Sequence, residues 1–465
     1  MCASHVPRKL SRVNALDLLY IPIAIVTAPL WAGKKRHGWS ERFGKIKKLP
    51  ATPAGVSRVL LHAVSVGEVS ALRALVPMLA ERVEVVVSAT TDTGLARARE
   101  LFGAMKAERD SGGHVIRHAV HVVRYPLDFS WCVKRMLDAV HPDVVGLVEL
   151  EVWPNFVRAC QRRGVPIAVI NGRLSSRSFK GYQRAKVLLR PTFARLSAVA
   201  AQDETYAQRF REMGVPSNLV CVTGSMKWDA TKIEDEVAGA QDLAREMGFS
   251  GALRAGLPLV VGGSTAEALD EAEEALIVRA AQAAAKKIGT DVLVLCAPRK
   301  PERFNVAAAA MPGCVRRSLR PKGFQLQGGK DHERSTPNGG LFLLDTIGEL
   351  RKAYALADVV VIGRSFGRLY GSDPIEPIAL GKATVIGPEY GDFSGNVAAL
   401  HAMGGIEVVA GADIESKLMA TLARLLADAQ GRRAMGEQGR ACIRQQQGAT
   451  RRHVEMLVAL AKCPT

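Results

Sequence analysis

Short, apolar, β-branched runs recur along this chain, and each is followed by residues with helical spacing. The first series comprises Val59–Ala63, Val83–Ser88, Val144–Val148, Ile167–Ile170 and Ala198–Ala201. A second series runs through Leu257–Val261, Val292–Leu295, Leu341–Leu344, Val359–Ile362, Thr384–Ile386 and Glu407–Val409. Continuous apolar runs of this length fit strands buried on both faces, and the helical pattern between them makes βαβ units of a parallel sheet. The polar, charged stretch Thr223–Arg254 separates the two series and is expected to be a hinge. Two similar α/β domains facing each other are therefore predicted. Ligands of such sheets bind outside the carboxyl ends of the strands, and clefts between domains are favoured sites. Residues Arg316–Gly340 break the pattern with Gly, Pro and charge, and are expected to form a flexible surface insertion. Helical pattern closes the chain from Ile414 onward.

The N-terminus departs from this alternation. Sixteen uncharged residues, "LLYIPIAIVTAPLWAG", lie between Asp17 and Lys34. Arg8, Lys9 and Arg12 precede them, and Lys34, Lys35 and Arg36 follow. A full membrane span needs roughly 20 apolar residues, and this run is shorter and carries Pro22 and Pro29. No small-residue cleavage site follows, as a secretory signal would require. The heavier charge behind the segment suits a cytoplasmic body behind a membrane-inserted or interfacial anchor. A helix buried in the domain core is the alternative.

Charge sharpens this picture. The 465 residues carry a formal net charge of +18, and residues 1–50 hold ten Lys/Arg against Asp17 and Glu41. Such a balance favours an anionic membrane and anionic small molecules. Nucleic acid is not expected, because aromatics are only 5% and no basic run is interleaved with Tyr or Phe. Eight scattered cysteines, without a C-x-x-C pair, give neither a zinc pattern nor a disulfide framework, and Cys221 and Cys296 read as small core residues. No P-loop, G-x-G-x-x-G or H-E-x-x-H occurs, and no pair of aspartates stands at i and i+2, so no metal is expected.

Candidate chemistry lies where strands give way to helices. In "HAVSVGE", His62–Glu68, a carboxylate stands at a helix start, where the macrodipole favours it by ~0.3–1 kcal/mol. That alone is a capping role. His62, Ser65 and Gly67 crowd the same loop, Gly67 allows close backbone approach, and an ionised carboxylate there suits a general base. "ELEVWPN", from Glu149, and "NGRLSSRS", from Asn171, follow the next two buried runs. Arg173 and Arg177 are candidates for an anionic ligand or for pairing with those glutamates. In the second series, Ser264 and Thr265 of "VVGGSTAEA" offer an anion site or an ordinary helix cap. Arg299 of "APRKPERF" stands where it can clamp a phosphate. "DTIGEL", Asp345–Leu350, repeats the arrangement, and Glu376 of "YGSDPIEPIALG" is a candidate for ribose hydroxyls.

Taken in order, "GWSERFGK" (Gly38–Lys45), "HAVSVGE", "ELEVWPN", "NGRLSSRS", "VTGSMKWD" (Val222–Asp229), "PRKPERF" and "DTIGEL" resemble the motifs of the Kdo transferases. That family moves 3-deoxy-D-manno-octulosonic acid (Kdo) from its CMP ester onto a lipid A precursor. The resemblance covers nearly the whole chain. It implies an α/β protein of glycosyltransferase-B (GT-B) architecture, two facing Rossmann-like domains with an N-terminal membrane anchor helix. Residues 1–37 would be the anchor and its basic flank, 38–226 the acceptor domain, and 227–465 the CMP-sugar donor domain with the insertion at 316–340. It further implies an inverting, cofactor-free transferase of lipopolysaccharide biosynthesis at the cytoplasmic face of the cell inner membrane. The donor would be CMP-Kdo and the acceptor the anionic glycolipid lipid IVA.

By the same resemblance, Glu68 matches the general base, and Glu149 and Lys227 match transition-state stabilisers. Pro298 and Arg299, the Ile347-Gly348-Glu349 turn, and Asp373, Pro374, Ile375 and Glu376 match the CMP-binding segments. This chain departs from the family at Ala266 and Lys300, where the family usually has His, and at Tyr370-Gly371-Ser372-Asp373, in place of Gly-Gly-His-Asn. Two other functions remain open to the sequence: a GT-B transferase using a UDP-sugar, and a membrane glycolipid-binding protein that has lost transfer.

Overall fold

The computed structural model describes residues 17, 18, 20, 37–268, 270–320, 322, 323 and 337–462. The chain divides into two compact units. One is Met1–Ala230 with Gln446–Thr465, and the other is Thr231–Gln445.

The first unit holds seven parallel strands: β1 (Arg58–Ala63), β2 (Glu84–Ala89), β3 (Val120–Arg124), β4 (Val144–Val148), β5 (Ile167–Gly172), β6 (Ala198–Ala201) and β7 (Val220–Val222). Their spatial order is β3-β2-β1-β4-β5-β6-β7. This is the doubly wound arrangement, and its strand order reverses between β1 and β4. Val59, Leu61, Val85, Val87, Val144 and Val148 pack one face of the sheet, while Leu60, Val86, Val145 and Leu147 pack the other. Helices on both faces explain why these runs are apolar throughout rather than alternating.

The second unit repeats the plan with β8 (Leu259–Thr265), β9 (Leu293–Pro298), β10 (Val315–Arg316), β11 (Leu341–Leu343), β12 (Val359–Ile362), β13 (Ala383–Ile386) and β14 (Glu407–Val408), all parallel. The order is β10-β11-β9-β8-β12-β13-β14, reversing between β8 and β12.

Every predicted strand is present, most to within two or three residues; the run Leu257–Val261 is the furthest off, its strand ending four residues later at Thr265. Strands β3, β7 and β10 were not legible as apolar runs. Each is at or near a sheet edge, where few residues and polar side chains such as His121 and Arg316 are tolerated. Cys221, expected in the core, is exposed on edge strand β7, whereas Cys296 is buried in β9.

Two expectations about domain extent change. The units divide after Ala230, inside the expected hinge, and the rest of that stretch forms helices Ala240–Met247 and Ser250–Arg254 with Leu243, Met247 and Phe249 buried. The closing helix Ala449–Lys462 belongs to the first unit, not to the second as the 227–465 boundary supposed. The Asp229 carboxylate accepts from the amides of Gly448 (2.6 Å) and Thr450 (2.6 Å) at that helix's start. His453, buried and held neutral with its pKa lowered to about 4, accepts from the Asn171 amide at 2.9 Å.

The start of the supposed insertion is also structural. Arg316 lies in β10, and Arg317 is buried against Glu246 and Glu349. Residues 324–336 lie outside the described residues. So does most of the expected anchor, residues 1–16, 19 and 21–36. Asp17, at its edge, is fully buried in the first unit and accepts from the Ser130 amide (2.8 Å) and the Asn155 side chain (3.1 Å). Among the described residues, no helix is long and apolar enough to cross a membrane.

Candidate active site

The reversal point of the first sheet carries the acidic residues. Strand β1 runs into a loop and then the short helix Val66–Ala71, with Ser65 as its N-cap. Ser65 Oγ accepts from the Glu68 amide at 3.4 Å, and the Ser65 hydroxyl donates to Glu68 Oε1 at 2.8 Å. The other oxygen, Oε2, accepts from the Val64 amide at 2.7 Å. This is a variant of the capping box, in which the carboxylate reaches the amide before the N-cap instead of the N-cap's own. It fixes the half-buried Glu68 carboxylate at the end of β1. A Cβ on Gly67 would meet only Ser65 Oγ, at 3.8 Å, so the glycine leaves open space beside the carboxylate. His62 is not part of this site. It is buried, stacked 3.6 Å from Tyr125 and bonded to Ser88, and burial lowers its pKa to about 3.

Strand β4 ends across the reversal point at Glu149, which takes a left-handed φ of 59°. Such a conformation in a non-glycine residue costs ~1–3 kcal/mol and marks positions the surroundings over-determine. Glu151 follows, with the Trp153 indole N–H donating to it at 2.9 Å. Burial, then the charges of Glu68 and Glu149, push the Glu151 carboxyl up to about 7. Glu151 therefore senses both Glu68 and Glu149. Glu151 was visible in the sequence only as the second acid of "ELEVWPN"; its proximity to Glu68 comes from β1 and β4 being neighbours.

Lys227 lies on the four-residue helix Met226–Asp229, capped by Ser225. Asn171, at the end of β5 with a left-handed φ of 52°, accepts from the Met226 amide at 3.0 Å through its side chain. Thus the strand-end asparagine and the closing helix, through Asp229, both hold the turn that presents Lys227. Arg173 is half-buried just after Asn171, and the Arg177 side chain lies outside the described residues.

In the second unit, Ser264 and Thr265 end β8, and the Arg299 amide donates to Thr265 O at 2.9 Å just after Pro298 ends β9. The Arg299 side chain is exposed. Tyr354 is buried beneath this region. Burial raises its pKa, the charges of Glu376 and Asp373 raise it further, and Arg299 and a bond with Ser264 oppose them. Ser264, Arg299, Asp373 and Glu376 are thereby brought around one side chain, although they come from three separate segments. Asp373 caps the turn into helix Ile375–Ala379 by accepting from the Ile375 amide at 3.0 Å. Pro374 and Ile375 are buried, and Glu376 lies 3.6 Å from Arg351.

The Ile347-Gly348-Glu349 turn divides its roles. Ile347 is 71% exposed and Gly348 has φ +91°, so these two present backbone and apolar surface. Glu349 is buried, and its carboxylate is held by Arg317 (2.9 and 3.1 Å) and the Thr346 hydroxyl (2.8 Å). Arg317, foremost, lowers its pKa to about 2. The sequence placed Glu349 at a ligand; its side chain faces inward and shapes the turn. No group of three or more His, Cys, Asp or Glu with metal-binding geometry occurs among the described residues.

The profile of the 3-deoxy-D-manno-octulosonic-acid transferase (kdotransferase) family matches residues 37–230. The 3-deoxy-D-manno-octulosonic acid transferase of Bordetella pertussis is 32% identical over 437 residues, 92% of this chain and 94% of the relative. The chain belongs to the Kdo transferase family. The Kdo transferase of Haemophilus influenzae is 28% identical over 95% of each chain. Among solved structures, UDP-GlcNAc 2-epimerase from Neisseria meningitidis has the same fold, with a TM-score of 0.53 and 14% identity over 86% of this chain and all of that one. This member of the Kdo transferase family is accordingly a glycosyltransferase with a GT-B-like α/β fold. The match to the Bordetella pertussis protein covers 92% of this chain and so extends into both units.

Proposed function

We propose that this protein transfers Kdo from CMP-Kdo to a lipid A precursor, lipid IVA, with inversion at the anomeric carbon. The observation that carries this reading is the near full-length match to Kdo transferases together with Glu68 held at the reversal point of the first sheet. Glu68 takes the proton from an acceptor sugar hydroxyl as its oxygen bonds to the anomeric carbon. The bond from that carbon to the CMP phosphate oxygen breaks, and CMP departs with the electron pair. Positive charge builds at the sugar ring in such transfers, and the carboxylate of Glu149 answers it. Negative charge builds on the departing phosphate, and Lys227 and Arg299 answer that. Glu151, its pKa raised by burial and by the charges of Glu68 and Glu149, lessens the negative charge gathered around Glu68.

Under this reading the first unit takes the acceptor and the second takes CMP through Ser264, Thr265, Pro298, Arg299, the Ile347–Glu349 turn and Asp373–Glu376. The acceptor is lipid-borne and anionic, which supports work at the cytoplasmic face of the inner membrane. The uncharged run Leu18–Gly33 between basic clusters supports anchoring there, starting from the buried Asp17 tether.

Calorimetric titration with CMP and UDP tests the donor half. CMP is expected to bind and UDP to bind far more weakly. Arg299→Ala is expected to weaken CMP roughly tenfold or more, as loss of a charged hydrogen bond does. Equal binding of CMP and UDP, or an unchanged CMP affinity in the variant, contradicts the donor assignment.

A further inference from the structure

The reversal point of the second sheet lies between β8 and β12, where ligands of doubly wound sheets bind. Both strands end there in strained backbone. Ser264 has φ 57° and Arg364, two residues past the end of β12, has φ 60°. The loops also approach closely. A Cβ on Gly363 would lie 2.5 Å from Thr265 Cα, and one on Gly263 would lie 2.0 Å from the hydroxyl of Tyr354, on the helix Leu350–Leu356 packed beneath. Two strained loops pressed together need something to hold them.

That something is one carboxylate. Glu273 is fully buried. Its Oε2 accepts from the amides of Ala266 (2.7 Å) and Arg364 (2.6 Å), and its Oε1 accepts from those of Ser365 (3.0 Å) and Phe366 (3.1 Å). Four N–H donors on two oxygens leave no acceptor for an acid proton, so the arrangement fits the ionised form. Burial pushes its carboxyl up, and the amides of Arg364, Phe366 and Ala266 pull against that. Glu273 begins helix Glu273–Ile288, yet none of these partners is an amide of its own helix. Ordinary capping therefore does not account for it. The clamp extends outward: Gly371 donates its amide to Arg364 O at 2.8 Å, and Asp373 lies two residues on.

We propose that Glu273 is a positioning residue for donor binding, which sets the β8 and β12 loops in the geometry that receives the nucleotide sugar. This rests on the assignment of CMP-Kdo to the second unit. A carboxamide cannot accept four amide bonds; its nitrogen would meet N–H groups head-on. Glu273→Gln is thus expected to loosen both loops while leaving the rest of the sheet in place.

The test uses the full-length protein. Wild type is expected to bind CMP. Folded Glu273→Gln, checked by circular dichroism and a cooperative melt, is expected to bind CMP at least tenfold more weakly. Its donor KM is expected to rise in step, with acceptor KM and kcat within about threefold. Leu422→Ala, buried in the flanking helix Ile414–Ala427, serves as a stability control. It is expected to lower the melting temperature and leave CMP affinity within twofold. If Glu273→Gln does not fold, Glu273→Asp keeps the charge but withdraws it by one methylene, and weaker CMP binding is again expected. A folded Glu273 variant that melts lower but binds CMP like wild type overturns the inference alone. Wild-type protein that does not bind CMP overturns the donor assignment, and the inference falls with it.

Discussion

Glu68→Gln is expected to lower the rate of Kdo transfer by ~10²–10⁴-fold, the usual worth of a positioned general base. The substitution separates two roles that the structure gives the same side chain. Glutamine retains an oxygen that can accept from the Val64 amide, as Oε2 does now at 2.7 Å, so most of the capping box survives. A Ser/Thr-type cap is worth ~0.5–2 kcal/mol, and a partly preserved one should cost less than that. What glutamine cannot do is take a proton from a hydroxyl. The expected pattern is therefore near-normal melting and CMP affinity with transfer almost abolished. Transfer within a few-fold of wild type would leave Glu68 as a helix cap and nothing more.

The second large effect is on stability. Arg317 is 3% exposed and joins Glu246 (2.8 Å) to Glu349 (2.9 Å) beneath the Ile347–Gly348 turn. Arg317→Met removes the cation that joins the two buried carboxylates and leaves Glu349 only its longer pairing with Lys352, at 3.5 Å. Breaking a buried pair from one side typically costs ~3–5 kcal/mol, because the remaining charge is uncompensated. Urea unfolding at neutral pH is expected to show a loss of that order for the second unit. Acid should narrow the difference. The Glu349 carboxyl is lowered in the folded state to about 2, so its contribution is complete above its ordinary pKa of 4.5 and is lost as pH falls toward 2. A loss below ~1 kcal/mol at neutral pH would mean that the carboxylates find other partners or take up protons at little cost.

The sequence disclosed the fold well because buried parallel strands are apolar on both faces, as in "VVGLV" of β4 and "VVVI" of β12. It disclosed Glu68 as a candidate because a carboxylate between a strand and a helix start is a local pattern. It did not disclose what the sheets bring together. Glu68 and Glu151 become neighbours through the pairing of β1 with β4, and Glu273 meets Arg364–Phe366 through the pairing of β8 with β12. Neither pairing has a local signature. Arg317 was hidden for another reason. It stands in a stretch rich in Gly, Pro and charge, which resembles a mobile loop, and only its burial against Glu246 and Glu349 shows that its charge is spent inside the fold. The return of the closing helix to the first unit likewise depends on Asp229 and His453, contacts that span more than 200 residues.

The most direct test of the whole account is a transfer reaction with purified full-length protein, CMP-Kdo and lipid IVA dispersed in detergent, its products resolved by mass spectrometry. The account predicts a lipid product heavier by Kdo, formed together with free CMP, with wild type and not with Glu68→Gln. Lipid IVA that emerges unchanged, or that is bound without any release of CMP, would contradict it.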